Sequence, residues 1–103
     1  MKSNMTIEQL VATFDKYDDE YLIFRNVANK LSRRPDMHAF ILLDKLIPGD
    51  GMSDLIVAAE HDQFFIDIEP EALAMVATEE IILELVRCGI VYDEETESLS
   101  FFA

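Results

Sequence analysis

The sequence predicts an α+β domain of about five helices and two antiparallel β-hairpins, in the order α-α-α-β-β-α-α-β-β. Three observations point to it. Apolar residues recur at helical spacing behind capping residues near the start and again after Pro70. Short segments of alternating pattern lie at 55–68 and 90–102. With three Gly and three Pro in 103 residues, no linker divides the chain. Half of the residues are hydrophobic, enough for one core. The expected organisation is a flexible N-terminus at residues 1–4 and one globular domain over 5–103.

The first helix begins at Thr6, which with Gln9 has capping-box spacing, and Met5 is placed to staple against Leu10. Ile7, Leu10, Val11 and Phe14 form its stripe. A second helix is expected after Asp18-Asp19, whose carboxylates suit the positive end of the helix dipole. Phe24, Val27, Ala28 and Leu31 would line its buried face, and Pro35 disfavours continuation through Arg34. Asp36 to Ile47 reads as a third helix, apolar nearly all round and so buried between other elements. A strand at His38–Leu43 competes with it, but twelve residues without a turn favour helix. Pro48-Gly49-Asp50-Gly51 ends it.

Leu55–Glu60 and Phe64–Ile68 read as strands around His61-Asp62-Gln63, with Leu55, Val57 and Ala59 on one face and Phe64, Ile66 and Ile68 on another. Pro70 starts a short helix over Leu73, Val76 and Ala77. Thr78 caps the next, with Glu79 and Glu80 in its first turn, Ile81, Ile82, Leu85 and Val86 as its stripe, and Gly89 at its C-terminus. Ile90–Tyr92 and Ser98–Phe102 close the chain as a hairpin around Asp93–Glu97. Phe102 and Phe65 point away from their apolar neighbours, and an outward aromatic on an edge strand needs cover, by a helix or by a second copy in a homo-oligomer.

Charge excludes more than the motifs do. Eight Lys and Arg face 21 Asp and Glu, a net charge of −13. Residues 1–49 carry seven acids and seven bases, whereas residues 50–103 carry fourteen acids and Arg87 alone. Direct nucleic-acid binding through phosphates and docking on an anionic membrane both need the opposite sign. No segment reaches transmembrane length, and Met1–Met5 lacks the apolar run of a signal peptide. One cysteine permits no internal disulfide and fits a reducing, cytoplasmic setting.

No GxSxG, Gly-rich phosphate loop, CxxC or HExxH occurs. Cys88 falls near a helix C-terminus, whose dipole opposes a thiolate, and reads as a small core hydrophobe. Asp36, His38, Glu60, His61 and Asp62 form the alternative reading, a small metal-dependent enzyme, if helix and hairpin bring them together. Against that, Asp36 and His38 suit a helix start, and His61-Asp62 suits a turn. No cofactor is expected. The basic group Arg25, Lys30, Arg33 and Arg34 reads as ordinary helix-end charge.

Residues 70–102 resemble, in element order, the latter part of winged helix-turn-helix domains. Here the positions of the recognition helix and wing carry Glu79, Glu80, Glu84, Asp93, Glu94, Glu95 and Glu97, which would repel a phosphate backbone. Those seven are the candidate partner-binding residues, for a basic protein partner. A surface dense in carboxylates can also imitate the charge array of DNA, about one charge per 1.7 Å of axis. A third possibility is a structural subunit of a dimer. Arg34-Pro35-Asp36-Met37-His38-Ala39-Phe40, Ala58-Ala59-Glu60-His61-Asp62 and Leu85-Val86-Arg87-Cys88-Gly89 resemble small acidic proteins of phage and prophage genomes. That resemblance implies a mobile-element origin and no particular activity. The expectation is a non-enzymatic binding or inhibitory module.

Overall fold

A computed structural model of the chain describes residues 5–51 and 54–102. The expected flexible N-terminus, residues 1–4, lies outside the described residues. Helix α1 spans Ile7–Lys16, α2 Pro35–Leu46, α3 Pro70–Val76 and α4 Glu79–Arg87; strands β1 to β4 span Ile56–Glu60, Gln63–Ile66, Val91–Asp93 and Ser98–Phe102. The architecture is therefore α+β, with four α-helices among the described residues where about five were expected.

The missing one is the second. Between α1 and α2 the chain makes only two 3₁₀ turns, Asp18–Glu20 and Phe24–Asn26. Leu22 and Asn29 adopt left-handed backbone angles, φ 60° and 52°, which interrupt any helix. The donors a helix would use internally go elsewhere: the Leu22 N–H donates to the Val86 carbonyl and the Leu31 N–H to His38 Nδ1. Of the proposed stripe only Val27 is buried, while Leu31 is exposed.

The two expected hairpins are not separate. The Gln63–Ile66 and Ser98–Phe102 strands pair antiparallel, giving a four-stranded sheet in the order β1-β2-β4-β3. Phe64 lies opposite Phe101, and their rings stack at 5.2 Å; Phe40 of α2 meets Phe101 edge-on at 5.4 Å. Phe40 thus brings α2 against the face carrying Phe64 and Phe101. Only one side of α2 is buried, through His38, Ala39 and Leu43, so its near-continuous apolarity overstates its burial. Phe102 is exposed as expected, but on an inner strand; the sheet edges are β1 and β3.

The first hairpin turns on two residues, His61 and Asp62, both with positive φ (52° and 65°), the requirement of a type I′ turn. A register shift between Ile56 and Ala58 breaks the expected alternation of β1, and all five residues of that strand are exposed. Two capping predictions hold in full. Thr6 and Gln9 form a reciprocal capping box. Thr78 caps α4, and Gly89 (φ 95°) ends it, with Gly89 N–H donating to Val86 and Ile90 N–H to Leu85, the paired bonds of a Schellman motif. Leu10, Leu43, Leu73, Ile82, Leu85, Ile90 and Leu99 fill the core between these elements.

Candidate protein-binding surface

The acids proposed for partner binding divide into two sets. On α4, the helix register aims Glu79 and Glu84 at other parts of the protein. Glu79 accepts from Lys16 Nζ at 3.0 Å and from the Tyr17 hydroxyl at 2.9 Å, and these donors hold its carboxyl below the usual range. Glu84, five residues further on, accepts from the Nε2 of His38, which is fully buried. Glu80 alone of the three is exposed with no ion pair among the described residues. These contacts give Glu79 and Glu84 structural work within the fold.

The hairpin acids behave differently. Asp93 is half-buried, accepting from Gln63 Nε2 and from the Glu95 N–H. Glu94, Glu95 and Glu97 project to solvent from the turn between β3 and β4. Tyr92 of β3 sits beside them and organises a larger surface. It lines a groove of about 450 Å³ with Ile7, Glu8, Val11, Ala12, Asp15, Pro70, Glu71 and Glu97. It also lines a hollow of about 480 Å³ with Asp15, Gln63, Val91, Asp93, Glu94, Glu95 and Phe102. The phenol of Tyr92 is pushed up, first by partial burial and then by the charges of Glu97, Glu71, Glu94 and Asp93.

The acidic field therefore draws on α1, α3 and the second hairpin, and α4 contributes little to it. Glu8, Asp15 and Glu71 lie outside the seven acids that the sequence pattern marks. A signal was present: residues 8, 11, 12 and 15 share one helical face, with acids at both ends of two small apolar residues. None of Glu8, Asp15, Glu71, Glu94, Glu95 or Glu97 makes an ion pair among the described residues. Lys16 and Arg87 are engaged elsewhere, with Glu79 and with Glu20.

The alternative metal set does not assemble. His38 lies in the interior between the Leu31 amide and Glu84, whereas His61 sits at an exposed turn beside Glu60, 3.7 Å away. Asp36 bonds to the Met37 amide at the start of α2. Among the described residues no group of three or more His, Cys, Asp or Glu is arranged to hold a metal ion. Cys88 is buried, and its thiol is pushed up to about 12 by burial and by Glu84, with Lys30 opposing, so it is a poor nucleophile.

Of the basic residues, Arg25 lies in the second 3₁₀ turn, Lys30 and Arg33 on the irregular segment before α2, and Arg34 at the N-cap of α2. Lys30 donates to the Val27 carbonyl and covers the Phe24 ring at 5.0 Å. No helix of the described residues is long and apolar enough to cross a membrane. Comparisons with protein-family models, curated proteins and solved structures return no match.

Proposed function

We propose that this chain is a non-enzymatic binding or inhibitory module whose acidic surface around Tyr92 receives a basic protein, one that itself handles nucleic acid. One observation carries the reading: carboxylates from three separate stretches converge on a single half-buried tyrosine, and none is neutralised by a described base. The floor of the groove, Ile7, Val11, Ala12 and Pro70, suits the aliphatic stem of a lysine or arginine. The Tyr92 ring and the surrounding acids suit its charged head. The winged-helix-like order of the last elements enters as shape presented to protein, and a phage or prophage origin with action in a bacterial cytoplasm completes the proposal.

The test is affinity capture from a bacterial lysate at low and high salt, comparing the wild-type chain with a variant carrying Glu71, Glu94, Glu95 and Glu97 all changed to Lys. A captured basic protein should be lost from the folded variant and released by salt. Equal capture by the two folded chains would end the proposal. Reversing Glu79 and Glu84 should matter less to binding and more to folding, because both are tied to internal partners.

A further inference from the structure

The two edges of the sheet are guarded very differently. Strand β3 is three residues long, ends in Asp93 and lies against α1, whose Asp15 helps line the hollow beside it. Strand β1 is five residues long, Ile56-Val57-Ala58-Ala59-Glu60, and is exposed on both faces; Ile56 and Val57 are 38% and 57% accessible. Its inner side pairs with β2, and its outer main-chain groups face no other described strand. Natural sheets protect such an edge with lysines, prolines or covering elements. Among the described residues the protection amounts to one bulge and Glu60.

Acids bracket this edge at both ends. Before it, Asp54 and Asp67 line a hollow with Asp44 around Leu55, and the Asp67 N–H donates to the Leu55 carbonyl. After it come Glu60 and Asp62. Lys45 lines a second hollow that also includes Leu55 and Asp44. This layout disfavours a second copy. The full antiparallel register about a twofold axis would set Ile56 against Glu60, and Asp54 of each copy towards Asp62 of the other, and like charges placed opposite destabilise a pair.

We infer that β1 is a strand-addition site for an extended segment of another protein, with small or β-branched residues in its middle and Lys or Arg at both ends. Main-chain hydrogen bonds along Ile56–Glu60 would supply the attachment, and the bracketing carboxylates would supply preference. The site is separate from the Tyr92 groove and does not depend on it.

The probe is a synthetic nine-residue peptide of alternating threonine and valine with two lysines at each end. Hydrogen exchange of the full chain should show the amides of Ile56–Glu60 slowed about tenfold by this peptide. The same peptide with glutamates at its ends should bind about tenfold more weakly. Replacing its central valine with proline should abolish protection, because proline removes a ladder donor. The variant Val57→Lys should lose binding. The peptide comparison on the wild-type chain decides the matter even if that variant does not fold. The chain with Glu71, Glu94, Glu95 and Glu97 changed to Lys should still bind the peptide, which separates this edge from the Tyr92 groove. Unchanged exchange at 56–60 would overturn the inference. So would equal binding of the proline peptide, loss of binding in the four-lysine chain, or concentration-dependent protection without peptide, which would assign the edge to a second copy.

Discussion

Residues 17–34 and 78–90 carry comparable helical signals, with acids at the start, apolar residues at helical spacing and cations near the end. Only the second becomes a helix, α4, with Ile82, Leu85 and Val86 buried beneath it. The first remains two 3₁₀ turns laid over α4. Its fastenings are tertiary: Leu22 N–H to the Val86 carbonyl, Leu31 N–H to His38, and Arg87 bridging Glu20 at 2.8 Å and the Asn26 carbonyl at 3.3 Å. Period alone does not decide helix formation. What decides it is whether the backbone donors find better partners outside the segment. Asn26 and Asn29, weak helix formers, lower the cost of leaving the helix, and asparagine tolerates the left-handed angle seen at position 29.

The largest effect that would sharpen this contrast comes from truncating equivalent stripe residues. Leu85→Ala removes a fully buried side chain and should cost about 2–5 kcal/mol in denaturant unfolding. Leu31→Ala removes an exposed one and should stay within about 0.5 kcal/mol. A large loss at Leu31 would show the first segment to be packed as a helix would be.

Next comes His38, which joins the regions. Its Nδ1 accepts from the Leu31 amide and its Nε2 donates to Glu84. His38→Phe keeps an aromatic ring, though a bulkier one, and strands both partners, at about 1–3 kcal/mol. The Leu31 amide should then exchange faster than the amides of α4. Equal acceleration in the two would mean that His38 supports the whole core and not this fastening.

Gly89 supplies the third. Its φ of 95° is strained for other residues, and a Cβ there would lie 2.8 Å from Leu22 Cδ2. Gly89→Ala should cost about 1–3 kcal/mol. Leu22→Ala added to it should recover the part due to contact, leaving the part due to backbone angle. An unchanged deficit in the double variant would place the whole cost in the helix end.

Much of this was legible in the chain, for reasons that differ by element. The caps of α1 and α4 rest on short-range chemistry, Thr6 with Gln9 and Thr78 with Gly89, so spacing alone reveals them. The union of the two hairpins rests on Phe64 meeting Phe101, a contact spanning 37 positions that no local pattern encodes. The acidic surface around Tyr92 is half visible in the sequence. Asp93 to Glu97 stand out as a charge run, but Glu8, Asp15 and Glu71 join them only because α1 and α3 pack near Tyr92. Glu79 and Glu84 looked equivalent to Glu80 by sequence, and only distant partners, Lys16 and His38, distinguish them.

The smallest effect is electrostatic and compares the ion pairs that tie each region down. Arg87 holds the Glu20 carboxyl below its ordinary 4.5, and Lys16 and Tyr17 do the same for Glu79. A carboxyl depressed in the folded state stabilises above its unfolded value, and that contribution fades as pH falls through the folded value. Thermal melts should therefore show an acid-side loss of stability beginning near pH 4.5 and continuing below it. Glu20→Gln should flatten this slope and speed exchange at Leu22, because its pair fastens the irregular segment to α4. Glu79→Gln should flatten it without touching Leu22, since its partners lie at the end of α1. Both pairs are partly open to solvent, so each change is small and shrinks further with added salt. A Leu22 amide indifferent to Glu20→Gln would leave the backbone bond to Val86 as the principal tie between the two regions.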